Sequence, residues 1–291
     1  MNEIRDILVV LDHRVPQSLA VQHAKLIADV TKSHLHLLIC SSKKGATDYL
    51  TVARDELFNE GYIVSSQQLS VDKPHRDIIA VQQSRNCQLV IKQHVPESAL
   101  KRAVMTPDDW QLLRNCPVPV LMVKTETPWL GGVVLAAVDV GNSDVEHRTL
   151  NTGIMSVSSE IAELAQCKLH VVCAHPSPML SSADPVFQLT ETIRARYVGK
   201  FKEFKDQFSI GDDQVHFEQG PADVIIPFTA KKLKVALTVI GSVGRTGLSA
   251  SLLGNTAEMI LDSLECDVLV VKPNDVIREM AEKVMHLFDG S

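Results

Sequence analysis

Short apolar runs alternate with amphipathic stretches along this chain. Residues Ile7 to Leu11 are apolar throughout and close on Asp12. Such runs suit strands covered on both faces, as in a parallel sheet. Residues 17–31 place Leu19, Ala20, His23, Ala24, Ile27, Ala28 and Val30 on one helical stripe. His34 to Cys40 reads as a second strand, and residues 47–60 as a helix stopped by Gly61. Tyr62 to Val71 is strand-like, and Pro74 opens a helix that runs to about Asn86. A strand at Gln88 to Gln93, a short helix over 107–115 and a strand at Val118 to Lys124 complete the series. The order βαβαβαβαβ predicts an open, doubly wound α/β sheet.

The series then repeats. Val133 to Asp139 echoes Ile7 to Asp12, and Lys168 to Ala174 echoes His34 to Cys40. The run from Pro221 to Ile226 echoes Pro74 to Ile79, Ala236 to Ile240 echoes Cys87 to Ile91, and Ile260 to Lys272 echoes Leu112 to Lys124. Matches that keep their order predict an internal duplication. Residues 125–132, rich in Pro and Gly, read as the linker. The expected domains are residues 1–127 and 128–291. The second half adds a proline-rich stretch after its second strand and an amphipathic stretch over 275–288, expected to dock as a helix on its own domain.

Composition narrows the function classes. Hydrophobic residues at 45% and charged residues at 22% are globular values. A net charge of −6 with 4% aromatics argues against nucleic acid as a partner. No stretch reaches the ~18 apolar residues of a membrane span, and the first residues do not read as a signal peptide. The six cysteines form no CxxC pair and several lie in apolar runs, so we expect buried thiols in a reducing cytoplasm. Without HExxH or paired Cys/His spacing, no metal is expected.

One stretch carries candidate chemistry. Leu237 to Ile240 reads as a buried strand ending at Gly241. Glycines follow at 244 and 247, and Gly254-Asn255 opens a helix. Strand, glycine loop and helix start form a geometry that cradles phosphate, because glycine lets backbone N–H groups approach and the helix N-terminus adds partial positive charge.

Gly241, two residues, Gly244, nine residues and Gly254-Asn255 is a spacing that resembles the phosphate signature of the universal stress proteins, in their tandem two-domain E-type form. Gly220-Pro221-Ala222, Asp139 and the strand Cys266 to Lys272 add to the resemblance, which spans nearly the whole chain. It implies two tandem five-stranded parallel-sheet, Rossmann-like domains forming a pseudo-dimer. It also implies a role in surviving stress and, in some members, ATP binding. Carried over, Gly241, Gly244, Gly254, Asn255 and Thr256 meet the phosphates. Asp139 and Val138 meet the ribose or another polar end, and Ala174 lies near the base.

Two departures bear on the ligand. Asn255 stands where nucleotide-binding members have Ser or Thr; with Glu258 it also fits a helix cap and its box partner, and both roles can coexist. In the first half, Lys92 and Val95 replace the early glycines and Thr106-Pro107 replaces Gly254-Asn255. Donors and room are expected to be lost there, leaving that half structural or regulatory.

Arg245 is either a bidentate phosphate donor or a solvated loop arginine. Met179 and Phe187 either anchor their loop or line the pocket as an apolar lid, which would admit a phosphorylated amphiphile as readily as ATP. Asp12 reads as a cap for its following helix. His36 and His170 match by the repeat and suggest a structural role. No GxxxxGK[ST] or GxSxG motif is present, so a binding module or sensor leads, with slow nucleotide hydrolysis second and a purely structural or interaction protein without a ligand third. The last strands of the two halves are edges that invite pairing, within one chain or in a homodimer.

Overall fold

A computed structural model describes residues 4–15, 17–69, 73–95, 105–141, 144–177, 190–242 and 255–272. The first half contains β1 (Asp6–Leu11), α1 (Leu19–Thr31), β2 (His34–Cys40), α2 (Ala46–Asn59), β3 (Val64–Leu69), α3 (Pro74–Ser84), β4 (Leu89–Gln93), α4 (Pro107–Asn115) and β5 (Val120–Val123). The second contains β6 (Val133–Ala137), α5 (Val145–Leu164), β7 (Lys168–His175), α6 (Thr190–Phe208), β8 (Val215–Gln219), α7 (Ala222–Leu233), β9 (Leu237–Gly241), α8 (Asn255–Ser263) and β10 (Asp267–Val271). The stretch expected as a helix over 275–288 lies outside the described residues.

The described strands form one ten-stranded sheet in the order β3-β2-β1-β4-β5-β10-β9-β6-β7-β8. Each half is parallel, and the halves meet at an antiparallel β5–β10 ladder that pairs Val120 with Val270, Leu121 with Leu269 and Met122 with Val268. The strand expected to pair does so within one chain.

Strand alternation sorts the core into two layers. Ile7, Val9 and Leu121 pack with α1, α2, α5 and α6, whereas Leu8, Val10 and Met122 pack with α3, α4, α7 and α8. Both layers run through the junction into the second half. A large aliphatic side chain buried this completely contributes about 1.5–3 kcal/mol.

The junction also carries polar clasps with near two-fold symmetry. Lys124 Nζ donates to the carbonyls of Leu261 (3.1 Å) and Leu264 (2.5 Å) behind α8. Lys272 Nζ donates to the carbonyls of Arg114 (3.0 Å) and Cys116 (2.6 Å) behind α4. A helix C-terminus leaves carbonyls without intrahelical donors, and a cation there also complements the dipole. Arg114 Nε holds Glu258 Oε1 at 2.9 Å, so Glu258, expected as a capping partner for Asn255, reaches across the junction.

One clasp has no counterpart among the described residues. Asp267 is fully buried, and its Oδ1 accepts the N–H groups of Lys124 (2.8 Å) and Thr125 (3.0 Å). Its Oδ2 accepts Trp129 Nε1 at 2.9 Å and lies 2.9 Å from His23 Nε2, outside hydrogen-bond geometry. Linker, α1 and β10 thus converge on one carboxylate.

The structure corrects the expected alignment of the halves by one residue. Asn86 and Lys234 share a left-handed conformation (φ 51° and 52°), and His94 and Ser242 each donate to the last residue of a neighbouring strand. Gln93 therefore matches Gly241, and Lys92 matches Ile240. An apolar run alone does not fix that register.

Candidate functional site

In the second half, β6 has β9 on one side and β7 on the other. Strand order reverses here, and in open α/β sheets the carboxyl ends of strands at such a point border a crevice. A crevice of about 760 Å³ opens there, lined by Val138, Asp139, Ala174, Gly220, Gly241 and Thr256 among others.

Local structure explains how these residues arrive. Asp144, not Asp139, caps α5, taking the N–H of His147 at 2.8 Å. Ser18 likewise caps α1 in place of Asp12, which instead chelates Arg14 Nε at 2.9 and 3.0 Å. Asp139 lies five residues and Asp12 six residues before the cap position of its helix. Asp139 is exposed at the crevice with its backbone fixed from both sides. Its N–H donates to Asn151 Oδ1 (3.1 Å), and its carbonyl accepts Asn151 Nδ2 (2.7 Å). Its Oδ1 accepts the N–H of Gly141 at 2.9 Å. A Cβ on Gly141 would fall 2.0 Å from Tyr197 Oη, so only glycine lets this turn pass the ring. Burial, with Asp139 and Cys173 nearby, pushes the Tyr197 phenol up to about 12.

Gly241 has a packing reason of its own: a Cβ there would lie 2.4 Å from Leu150 Cδ2. Thr256 and Ala257 bring the first turn of α8 to the crevice, and Pro221, Ala222 and Asp223 bring that of α7. Asp223 disfavours an anion at α7. At α8, Thr256 and Ala257 carry no charge and Glu258, the acid of that first turn, is paired with Arg114, which leaves the α8 end as the better place for one. Leu150, Ile154, Ile226 and Ile260 give an apolar wall.

The fold therefore brings Val138, Asp139, Ala174, Gly241 and Thr256 together at one crevice. Asn255 opens α8, with its side chain outside the description, and Gly244, Arg245, Gly254, Met179 and Phe187 lie outside the described residues. Asn151, His147, Tyr197 and Asp223 were not foreseen. Asn151 could have been suspected as an amide on the buried face of α5; Tyr197 follows the proline-rich part of the sequence and carried no signal.

The first half has a matching crevice of about 510 Å³, so room is not lost there as expected. The charges at its helix start are matched internally. Thr106 and Asp109 form a capping box at α4, and Asp109 Oδ1 holds Lys92 Nζ at 2.5 Å while Oδ2 holds His94 Nδ1 at 2.9 Å. Burial alone would raise the Asp109 carboxyl, but the Lys92 charge and the bonds from His94 and Lys92 hold it well below the usual range. A carboxylate of the chain itself thus occupies that helix start. The second half has Ile240 and Ala257 where the first has Lys92 and Asp109.

The universal stress protein family model matches residues 3–124 and again residues 132–272. Universal stress protein E of Escherichia coli K12 is 35% identical over 224 residues, covering 74% of this chain and 70% of its own. The Universal stress protein E homolog of Haemophilus influenzae is 30% identical over 264 residues, covering 88% of this chain and 84% of its own. A crystal structure of a protein of unknown function from Pseudomonas aeruginosa PAO1 is 51% identical, with a TM-score of 0.89 over 98% of each chain. With both halves matched in order and these relatives aligned across most of their length, the chain belongs to the universal stress protein family.

Proposed function

We propose that the protein is a cytoplasmic stress-response binding module whose second-half crevice takes a phosphate-bearing ligand, a nucleotide such as ATP or a phosphorylated amphiphile. The carrying observation is the contrast between the two crevices. In the first half Asp109 fills the helix start with the chain's own carboxylate and Lys92 as its counterion. In the second, Ile240 and Ala257 stand in their place, beside an exposed Asp139.

In this reading Gly241, Gly244, Arg245, Gly254, Asn255 and Thr256 surround the phosphates. Asp139 accepts ribose hydroxyls beside Val138, and Ala174, Met179 and Phe187 line the remainder. The apolar wall excludes water around the uncharged part of the ligand. No phosphate-clamping lysine lines the crevice among the described residues, which supports binding rather than turnover. Native mass spectrometry of the protein as purified tests the reading. A phosphate-bearing adduct at one per chain is the expected result. ATP hydrolysis that survives rigorous purification and disappears in Gly244→Val would replace the binding module with a hydrolase.

A further inference from the structure

Away from both crevices, the first half gathers three metal-binding side chains where β1 and β2 begin. The strands pair with Asp6 beside His34 and Leu8 beside His36. His34 and His36 are two apart on one strand, so they leave it on one face. Their ring centroids are 3.9 Å apart. Asp6 Oδ1 lies 2.8 Å from His36 Nε2 and 3.8 Å from His34 Nδ1, and one donor atom from each residue falls within 4.8 Å of the others. A tetrahedral zinc ion with bonds of about 2.1 Å sets its donors about 3.4 Å apart. The two observed separations bracket that value.

Three further observations point to an ion. His36 Nδ1 is 2.7 Å from Ser65 Oγ, an outer partner of the kind that orients a metal-bound imidazole. His34 Nδ1, the ring nitrogen facing Asp6, makes no hydrogen bond among the described residues and lies beyond hydrogen-bond distance of that carboxylate. The repeat also shows that the fold does not require the cluster. Val133 and Lys168 hold the places of Asp6 and His34, and His170 bonds His216 at 3.0 Å instead.

We propose that Asp6, His34 and His36 bind one divalent cation of the zinc class. Two imidazoles and one carboxylate suit a borderline late first-row ion better than magnesium or calcium, which take oxygen ligands. Asp6 and His34 are partly exposed, with side chains 28% and 33% accessible, which leaves an entry path and room for water to complete the coordination. The bound ion ties the start of β1 to the start of β2.

The test is a titration of the full chain, stripped with a chelator, with zinc alone against a chromophoric competitor. One ion per chain is expected at micromolar affinity or tighter, lowered at least tenfold in His34→Gln and Asp6→Asn. Ser65→Ala is expected to lower it about tenfold to a hundredfold. His170→Gln is expected to bind as the wild type does. Absence of saturable binding, or affinity unchanged in both His34→Gln and Asp6→Asn, overturns the proposal. Should either variant unfold, anomalous scattering from zinc-soaked wild-type crystals decides: a peak shared by the three side chains supports the site, and its absence there overturns it.

Discussion

Lys272 Nζ donates a 2.6 Å hydrogen bond to the carbonyl oxygen of Cys116, 156 positions earlier and in the other half of the molecule. Burial, opposed weakly by Cys116, lowers the Lys272 ammonium to about 8. The folded value is thus below the unfolded one. Between them the unfolded chain binds more protons, so this group's penalty on folding is full below pH 8 and shrinks as pH rises toward 10.5. Over pH 7.5 to 9.5 the wild type is expected to gain about 2 kcal/mol relative to Lys272→Met. Urea unfolding of both proteins across that range checks it. The difference matters rather than either curve, because buried thiols such as Cys173, raised to about 12, act in the opposite sense above pH 9.

Asp267 is expected to be the most sensitive single position at the junction. Removing its carboxylate leaves the Trp129 indole and two backbone N–H groups without their acceptor. Asp267→Ala should cost about 3–5 kcal/mol. The midpoint of urea unfolding reads the loss, and Trp129 fluorescence in the folded variant should shift to the red.

Pairing of β5 with β10 leaves β3 and β8 as the sheet edges. Their sequences, Val-Ser-Ser-Gln-Gln-Leu and Val-His-Phe-Glu-Gln, are mostly polar and suit an unpaired edge. Light scattering on a sizing column should give the mass of one chain. A dimer mass would require a contact outside this ladder.

Gly241 serves packing as well as the crevice. Gly241→Ala should destabilise by about 1–3 kcal/mol, since its Cβ would overlap Leu150. Adding Leu150→Ala should recover part of the loss in a double-mutant cycle. Additivity of the two would show that the contact is not the cause.

Much of the fold was legible because continuous apolar runs are unambiguous in a doubly wound sheet. The helix at Pro107–Asn115 has the predicted bounds, and the ladder between the last strands is the predicted pairing. Register within a run was not legible. Sliding Cys87 to Ile91 by one residue against Ala236 to Ile240 keeps the run apolar, and only strand pairing and the left-handed Asn86 and Lys234 settle it. At the crevice, Asp139 and Gly241 carried local signals, whereas Tyr197 and Asn151 arrive from helices whose distance in sequence says nothing of proximity. Asp6 and His34 are invisible as a cluster for the same reason: their adjacency is a property of the β1–β2 register.

The central claim is that one crevice, bordered by Asp139 and the start of α8, receives a phosphate-bearing ligand while its first-half counterpart does not. Titration of a fluorescent ATP analogue into the wild type, Asp139→Ala and Arg14→Ala tests it most directly. One site per chain is expected, weakened about tenfold to a hundredfold in Asp139→Ala and unchanged in Arg14→Ala. Binding lost in Arg14→Ala and kept in Asp139→Ala would place the ligand in the wrong half and contradict the account.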